Sequence, residues 1–464
     1  MLVGRDSKLE SLEKLYNQQK FQLAVLYGTR KTGKTAICSA FAAGKPAIFF
    51  SAQKLNSHMN LEAFSRQVFA YAGDDSETPF GTWADAMRYI TRLAEKGRLL
   101  LILDDFADLA AEDPSVMTAM QRAVDNEWKT TSLFVLISSG RVAFMESDVM
   151  GEGSPLFGRR TYQMKLEGLD YLDCAKLLDG FSCEDKLRFY CCVGGTPEYI
   201  SLIDGAKSFE ENIRALYFSA RGPLFAQPPR TFLDELREPA VYNSILASLS
   251  SGALRLNDIV AATGEDSPKV NKYLQTLLRM QVISRDTPFG EDPAASRKGI
   301  YTITDNGLCF WFRFVLPARA AIERGEGDKL FPGEELMRAV DEYVGGKPFE
   351  SVCYQYLQRQ NRLGNLPFLG SVTGKWWRSS KEAGNAELVT ATQRTRQLLF
   401  AECKWSGAYV ADDALKKRLE AKDKLFPEYW ERYNYLFSRE PFPRELRNME
   451  NTKLKLVDCE KLFK

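Results

Sequence analysis

Residues 28–35 read Gly-Thr-Arg-Lys-Thr-Gly-Lys-Thr, between the apolar run "FQLAVLYG" and the helix-forming run "KTAICSAFAAG". The pattern G-x-x-x-x-G-K-[ST] between a strand and a helix is a cradle for phosphate groups. It constrains the fold more than any other feature of the chain. A strand feeding such a loop and helix belongs to a parallel sheet, with its site at the carboxyl ends of the strands. The backbone of Gly28, Thr29, Arg30, Lys31, Thr32 and Gly33 is expected to curl around a β-phosphate, with the helix N-terminus adding positive potential. Lys34 is expected to reach the β- and γ-phosphates, and Thr35 to ligate Mg²⁺. The implied cofactor is ATP with Mg²⁺.

Three further runs fit buried strands: "PAIFFSA", "RLLLILDDF" and "SLFVLISSG". The second ends in Asp104-Asp105. Asp104 is expected in the Mg²⁺ shell and Asp105 beside the attacking water. The alternative for this acidic pair is a plain helix N-cap after a buried strand.

The length, 464 residues, exceeds what one hydrophobic core usually supports. A formal net charge of +1 means that any nucleic-acid contact must come from a local patch. No apolar run reaches the roughly 20 residues of a spanning helix, and "MLVGRDSKLE" lacks the features of a signal peptide. The expected location is the cytoplasm, with no membrane partner. Nine scattered cysteines fit reduced thiols, and the single histidine, His58, argues against zinc or histidine-based catalysis.

Residues 239–288 change rhythm. Helices fit "VYNSILASLS" and "LNDIVAATG", and a third opens at Ser267 with Pro268 in its first turn. "VISRDTPFG" and "GIYTITD" then supply a hairpin, giving a winged helix-turn-helix pattern. Lys269, Lys272, Gln275 and Arg279 lie off the apolar face of the third helix, with Arg285, Arg297 and Lys298 in the wing. They are either contacts to double-stranded DNA or the solvated charges of a packing module.

Near the C-terminus, "AELVTATQ" and "QLLFAECKW" fit two strands joined around "QRTR". A hairpin centred between Arg394 and Thr395 sets Glu387 opposite Glu402, with side chains about 5 Å apart on one face. Like charges so close need a cation between them. The expected cation is Mg²⁺ or Mn²⁺, with Lys404 orienting water. The alternative is a solvated Glu–Lys face. The charged run "DDALKKRLEAKDK" fits the exposed side of a helix.

Over residues 1–230 the stretches "LVGRDSKLESLEKLY", "LLILDDF", "SPLFGRRT" and "GGTPEYI" resemble the archaeal-type ATPase family, a branch of the P-loop ATPases related to AAA+ and signalling NTPases. That family usually has Asp-Glu where this chain has Asp104-Asp105. The resemblance implies an arginine finger at Arg159 or Arg160, acting across a homo-oligomer interface; the alternative is ordinary surface arginine. From about residue 301 onward, "YTITDNGLCFWFRF", "GKPFESVCYQYL", "GKWW" and "LLFAECKWS" resemble an uncharacterised C-terminal domain fused to such ATPases and assigned to the PD-(D/E)xK nuclease superfamily. This second resemblance implies a catalytic set of Glu350, Glu387, Glu402 and Lys404, with Glu387 standing where aspartate is usual.

The expected fold class is α/β. A P-loop core (1–165) is followed by a helical lid (166–235), a winged helix (236–306), linker helices (307–345) and a nuclease-like domain (346–464). Two functions stay open: an ATP-dependent DNA-cutting enzyme, or an ATP-dependent switch whose nuclease fold does not cut.

Overall fold

The computed structural model describes residues 2–75, 78–226, 236, 238–377, 387–423 and 425–464. The chain divides into two compact units. One holds the residues up to Leu169 together with Thr196–Glu198, and the other holds Asp170–Gly195 and Tyr199–Lys464. Among the described residues no helix is long and apolar enough to cross a membrane.

The first unit is built on five parallel strands: β1 (Gln22–Tyr27), β2 (Ala47–Ser51), β3 (Leu100–Asp104), β4 (Phe134–Ser139) and β5 (Tyr162–Lys165). Their order is β2-β3-β4-β1-β5. Leu23, Val25, Leu101, Leu103, Val135 and Ile137 join one apolar cluster. Ala24, Leu26, Leu100, Ile102, Phe134 and Leu136 join the other. Alternate residues of each central strand therefore bury in opposite layers, which is why these strands read as unbroken apolar runs. Full burial of each large apolar side chain contributes about 1.5–3 kcal/mol before the entropy of ordering is subtracted.

β5 is different. Its "YQMK" is only partly buried, as suits an edge strand, and no apolar run marks it in the sequence. It has a positional role even so. A Cβ on Gly28 would lie 2.0 Å from the Leu166 carbonyl oxygen, so the backbone just past β5 fixes glycine at the start of the phosphate loop.

In the second unit, helices Pro239–Ser250, Leu256–Thr263 and Ser267–Arg279 precede an antiparallel pair, β6 (Ile283–Asp286) and β7 (Ile300–Ile303). The third helix is capped by the Asp266 side chain, which accepts from the Lys269 amide. Val270, Tyr273, Leu274 and Leu277 form its buried side.

The C-terminal sheet has the order β12-β11-β10-β9-β8. Its strands are β8 (Val372–Trp376), β9 (Glu387–Thr392), β10 (Gln397–Lys404), β11 (Glu431–Ser438) and β12 (Leu454–Asp458). β8, β9 and β10 are antiparallel neighbours, while β10, β11 and β12 are parallel. Helix Asp413–Asp423 falls between β10 and β11, and helix Lys347–Leu363 precedes β8.

The hairpin loop after β6 is docked on β8. The Phe289 amide donates to the Lys375 carbonyl at 2.7 Å. The Phe289 ring lies 5.5 Å from Phe426. Lys375 Nζ sits 3.1 Å from Asp286 of β6 and 2.9 Å from Glu350 of helix Lys347–Leu363. Burial alone would lower the Lys375 ammonium, but the two carboxylates outweigh it and hold the group above its ordinary range. Trp377 and Trp405 are core residues, 2% and 1% exposed, and Trp376 packs on Phe400 and Phe426. All three tryptophans thus pack against protein.

Candidate functional site

The phosphate loop leaves β1 at Gly28 and enters helix Lys34–Ala42 at Gly33, whose φ of 92° lies in the left-handed region open to glycine. Lys31 also takes a positive φ, 66°. From outside, the buried Arg5 guanidinium donates to the carbonyls of Thr32 at 3.1 Å and Glu167 at 2.8 Å, fixing the loop against β5's exit. Inside, Lys34 Nζ donates to the Thr29 carbonyl at 2.7 Å. Burial pushes the Lys34 ammonium down to about 8, against the pull of Asp104 and Asp105.

Thr35 Oγ1 donates to Asp104 Oδ2 at 2.6 Å, so the hydroxyl and carboxylate expected in a Mg²⁺ shell already touch. Asp104 is 2% exposed. Asp105 has φ 51° and precedes helix Phe106–Glu112 without a side-chain cap bond. Burial, then the neighbouring Asp104 and Asp108, raise its carboxyl. Asp108 lies 3.5 Å from Arg141 and 4.0 Å from Arg30. Lys31 pairs with Glu198 at 2.7 Å.

Arg159 is bidentate to Asp125, with Nε–Oδ1 at 3.0 Å and Nη2–Oδ2 at 2.7 Å, and its Nη1 donates to the carbonyls of Pro155 and Phe157. Arg160 donates through Nη1 to the Met150 carbonyl. On helix Ser267–Arg279, Lys269 is paired with Glu265 at 2.9 Å, whereas Lys272, Gln275 and Arg279 are exposed. In the hairpin, Arg285 donates to the carbonyls of Pro293 and Ser296, and Lys298 pairs with Glu291. Arg297 is exposed.

The β9–β10 ladder runs from Gln397↔Thr392 to Ala401↔Leu388, which sets Glu402 opposite Glu387 at the next step. The cation between them is Lys422. Its Nζ is 2.9 Å from Glu387 Oε1 and 3.0 Å from Glu402 Oε2. Arg418 adds a contact to Glu402 Oε1 at 3.1 Å. Burial raises the Glu387 carboxyl. At Glu402 burial acts the same way, but Lys422 and Arg418 outweigh it and the net shift is downward.

Three expectations are corrected here. Glu350 does not converge with the pair. It binds Lys375, which stands opposite Leu388, while the adjacent Trp376 stands opposite Glu387; alternation puts Lys375 and Glu387 on opposite faces. Lys404 donates to the Ala408 carbonyl at 2.9 Å and lies 5.3 Å from the Tyr409 ring centre, away from a water-orienting role. Helix Asp413–Asp423 is not merely a solvated face, because Lys422 is buried beneath it.

Residues 2–203 match the family described as an ATPase domain predominantly from Archaea. Residues 311–422 match a family of archaeal and bacterial proteins of unknown function. The chain belongs to the archaeal-type P-loop ATPases. An uncharacterized protein of Methanocaldococcus jannaschii is 27% identical to this ATPase over 469 residues, 99% of each chain. Among solved structures, the Walker-type ATPase of Pyrococcus abyssi is 16% identical over 67% of this chain and 95% of its own, with a TM-score of 0.49. The ORC2 protein of Aeropyrum pernix, in ADPNP-ADP complexes, is 12% identical over 70% and 94%, with a TM-score of 0.45.

The residues of this ATPase fit ATP and Mg²⁺. Lys34 is a buried ammonium with a lowered pKa, hydrogen-bonded to one carbonyl, and a phosphate would add to the counter-charge that Asp104 and Asp105 supply. Lys34, Thr35 and Asp104 would hold the nucleotide and its ion, and the bound ion would offset phosphate charge. Asp105 would hold the water. The sequence reading missed Arg5, Asp108 and Arg141. Only Arg5 left a signal, as a charge directly after the apolar "LVG".

Proposed function

We propose that this ATPase is a nucleotide-driven switch on double-stranded DNA. The winged-helix module (236–306) contacts the duplex through Lys272 and Arg279, and the nuclease-like domain (346–464) serves as a non-cutting scaffold. The observation that carries the reading is the Lys34, Thr35–Asp104 and Asp105 constellation at the carboxyl ends of β1 and β3. The core (1–165) and lid (166–235) make the engine, with residues 307–345 as linker helices. The scaffold role is supported by Lys422, whose ammonium lies where a divalent ion was expected. In a homo-oligomer, Arg160 is the better finger, because Arg159 is saturated by Asp125 and two carbonyls.

A second reading, a metal-dependent phosphodiesterase, is favoured by one observation: Glu387 and Glu402 do face each other. One assay tests the ATPase site and a second separates the readings. Steady-state ATP hydrolysis should fall about 100-fold or more in Asp105→Asn, as loss of a general base predicts; unchanged turnover would remove Asp105 from the chemistry. Plasmid incubated with excess protein, Mg²⁺ or Mn²⁺, and ATP should stay intact. Nicking that disappears in Glu402→Gln would establish the second reading instead.

A further inference from the structure

We infer that the Lys422 ammonium is the resident cation of the Glu387–Glu402 pair, so that this C-terminal site takes no divalent ion while Lys422 is in place. The inference deepens the scaffold reading and rests on it only for the meaning of the domain, because the geometry belongs to the C-terminal sheet alone.

Helix Asp413–Asp423 shows why Lys422 goes inward. Leu415 is 2% exposed and Leu419 is partly buried against the same cluster. Lys422 follows at the next step of the i, i+4, i+7 stripe that turns a helix face to a core. Its neighbours off that stripe, Lys416 and Arg418, keep 56% and 50% of their side-chain surface, while Lys422 keeps 6%. A lysine buried that far is stable only when paired. Here it meets two carboxylates at salt-bridge distance.

The charges also close. Glu387 and Glu402 carry two negative charges, and Lys422 and Arg418 carry two positive ones. A divalent ion entering this site would add two uncompensated charges and lie within contact distance of an ammonium. Magnesium and manganese sites need several convergent oxygens. Among the described residues, no group of three or more His, Cys, Asp or Glu is placed to hold a metal. Glu350, the third acid expected, faces the other side of the sheet. Among the described residues, one acceptor here, Glu387 Oε2, is buried without a hydrogen-bond partner. A single open oxygen is too few for a metal.

The test is a Mn²⁺ titration of the full, nucleotide-free chain, with free ion read by electron paramagnetic resonance. In the otherwise unaltered protein, Glu402→Gln should leave the number of bound ions unchanged. Lys422→Met should gain about one ion per chain, and adding Glu402→Gln to it should remove that ion. A Glu402-sensitive ion in the unaltered protein overturns the inference, and so does a folded Lys422→Met protein that gains none. Should Lys422→Met fail to fold, the single Glu402→Gln comparison still decides. Because the readout is binding, its failure is distinguishable from failure of the scaffold reading, which is judged by DNA cutting.

Discussion

Lys34 ties the phosphate loop to pH. Its ammonium is held at about 8 by burial, while an unfolded lysine titrates near 10.4. Between those values the unfolded chain binds a proton that the free native chain does not. Stability of the nucleotide-free protein therefore gains from this group as pH rises through the window, and the gain is absent below about 8. Nucleotide acts in the opposite direction. The phosphates favour the charged form, so ATP binding should draw in a proton, and affinity should weaken as pH rises above about 8. Calorimetry near pH 8.5 in two buffers of different ionisation heat should show a fraction of a proton taken up per ATP bound. Zero uptake would mean that Lys34 stays charged without nucleotide, and the reading of it as a cation awaiting phosphate would fail.

At the scale of elements, the docked hairpin makes a sharp case. Lys375 satisfies both Asp286 and Glu350, and Glu350 is only 6% exposed. Lys375→Met would leave two carboxylates facing an apolar chain, which for a broken buried pair costs about 3–5 kcal/mol. Urea midpoints should fall accordingly, and adding Asp286→Asn with Glu350→Gln should recover much of the loss. If the triple variant is no more stable than Lys375→Met, unpaired charge is not the cause. None of this was legible in "GKWW", which shows a lysine beside two tryptophans but not which acids a distant helix and hairpin bring to it. What was legible had local causes. β1, β3 and β4 are buried on both faces and so read as apolar runs. The β9–β10 register follows from the turn at Arg394–Thr395 and the alternation on either side of it. β5 hid because an edge strand carries no such run. Lys422 hid because a charge at a core-facing helix position looks like solvated surface until its partners are known. Its spacing from Leu415 and Leu419 was the available signal.

For the whole molecule, a net charge of +1 leaves no general attraction to a polyanion, so any duplex contact must be local. The structure narrows the candidates. Lys269 and Lys298 are neutralised by Glu265 and Glu291, and Arg285 is bound to two carbonyls. Lys272 and Arg279 remain exposed on the helix Ser267–Arg279. If both neutralise phosphates, the plot of log affinity against log salt should lose about 0.9 in slope for each contact removed. Lys272→Glu with Arg279→Glu should therefore flatten that slope by about 2 and weaken binding alike across unrelated duplexes. Lys298→Gln should leave the slope unchanged, since its charge is already paired. Fluorescence anisotropy on a labelled duplex over a salt series measures both. An unaltered slope in the double variant would take this helix out of DNA contact. Loss of slope on Lys298→Gln would instead put the hairpin on the phosphates, which requires its pair with Glu291 to open when DNA binds.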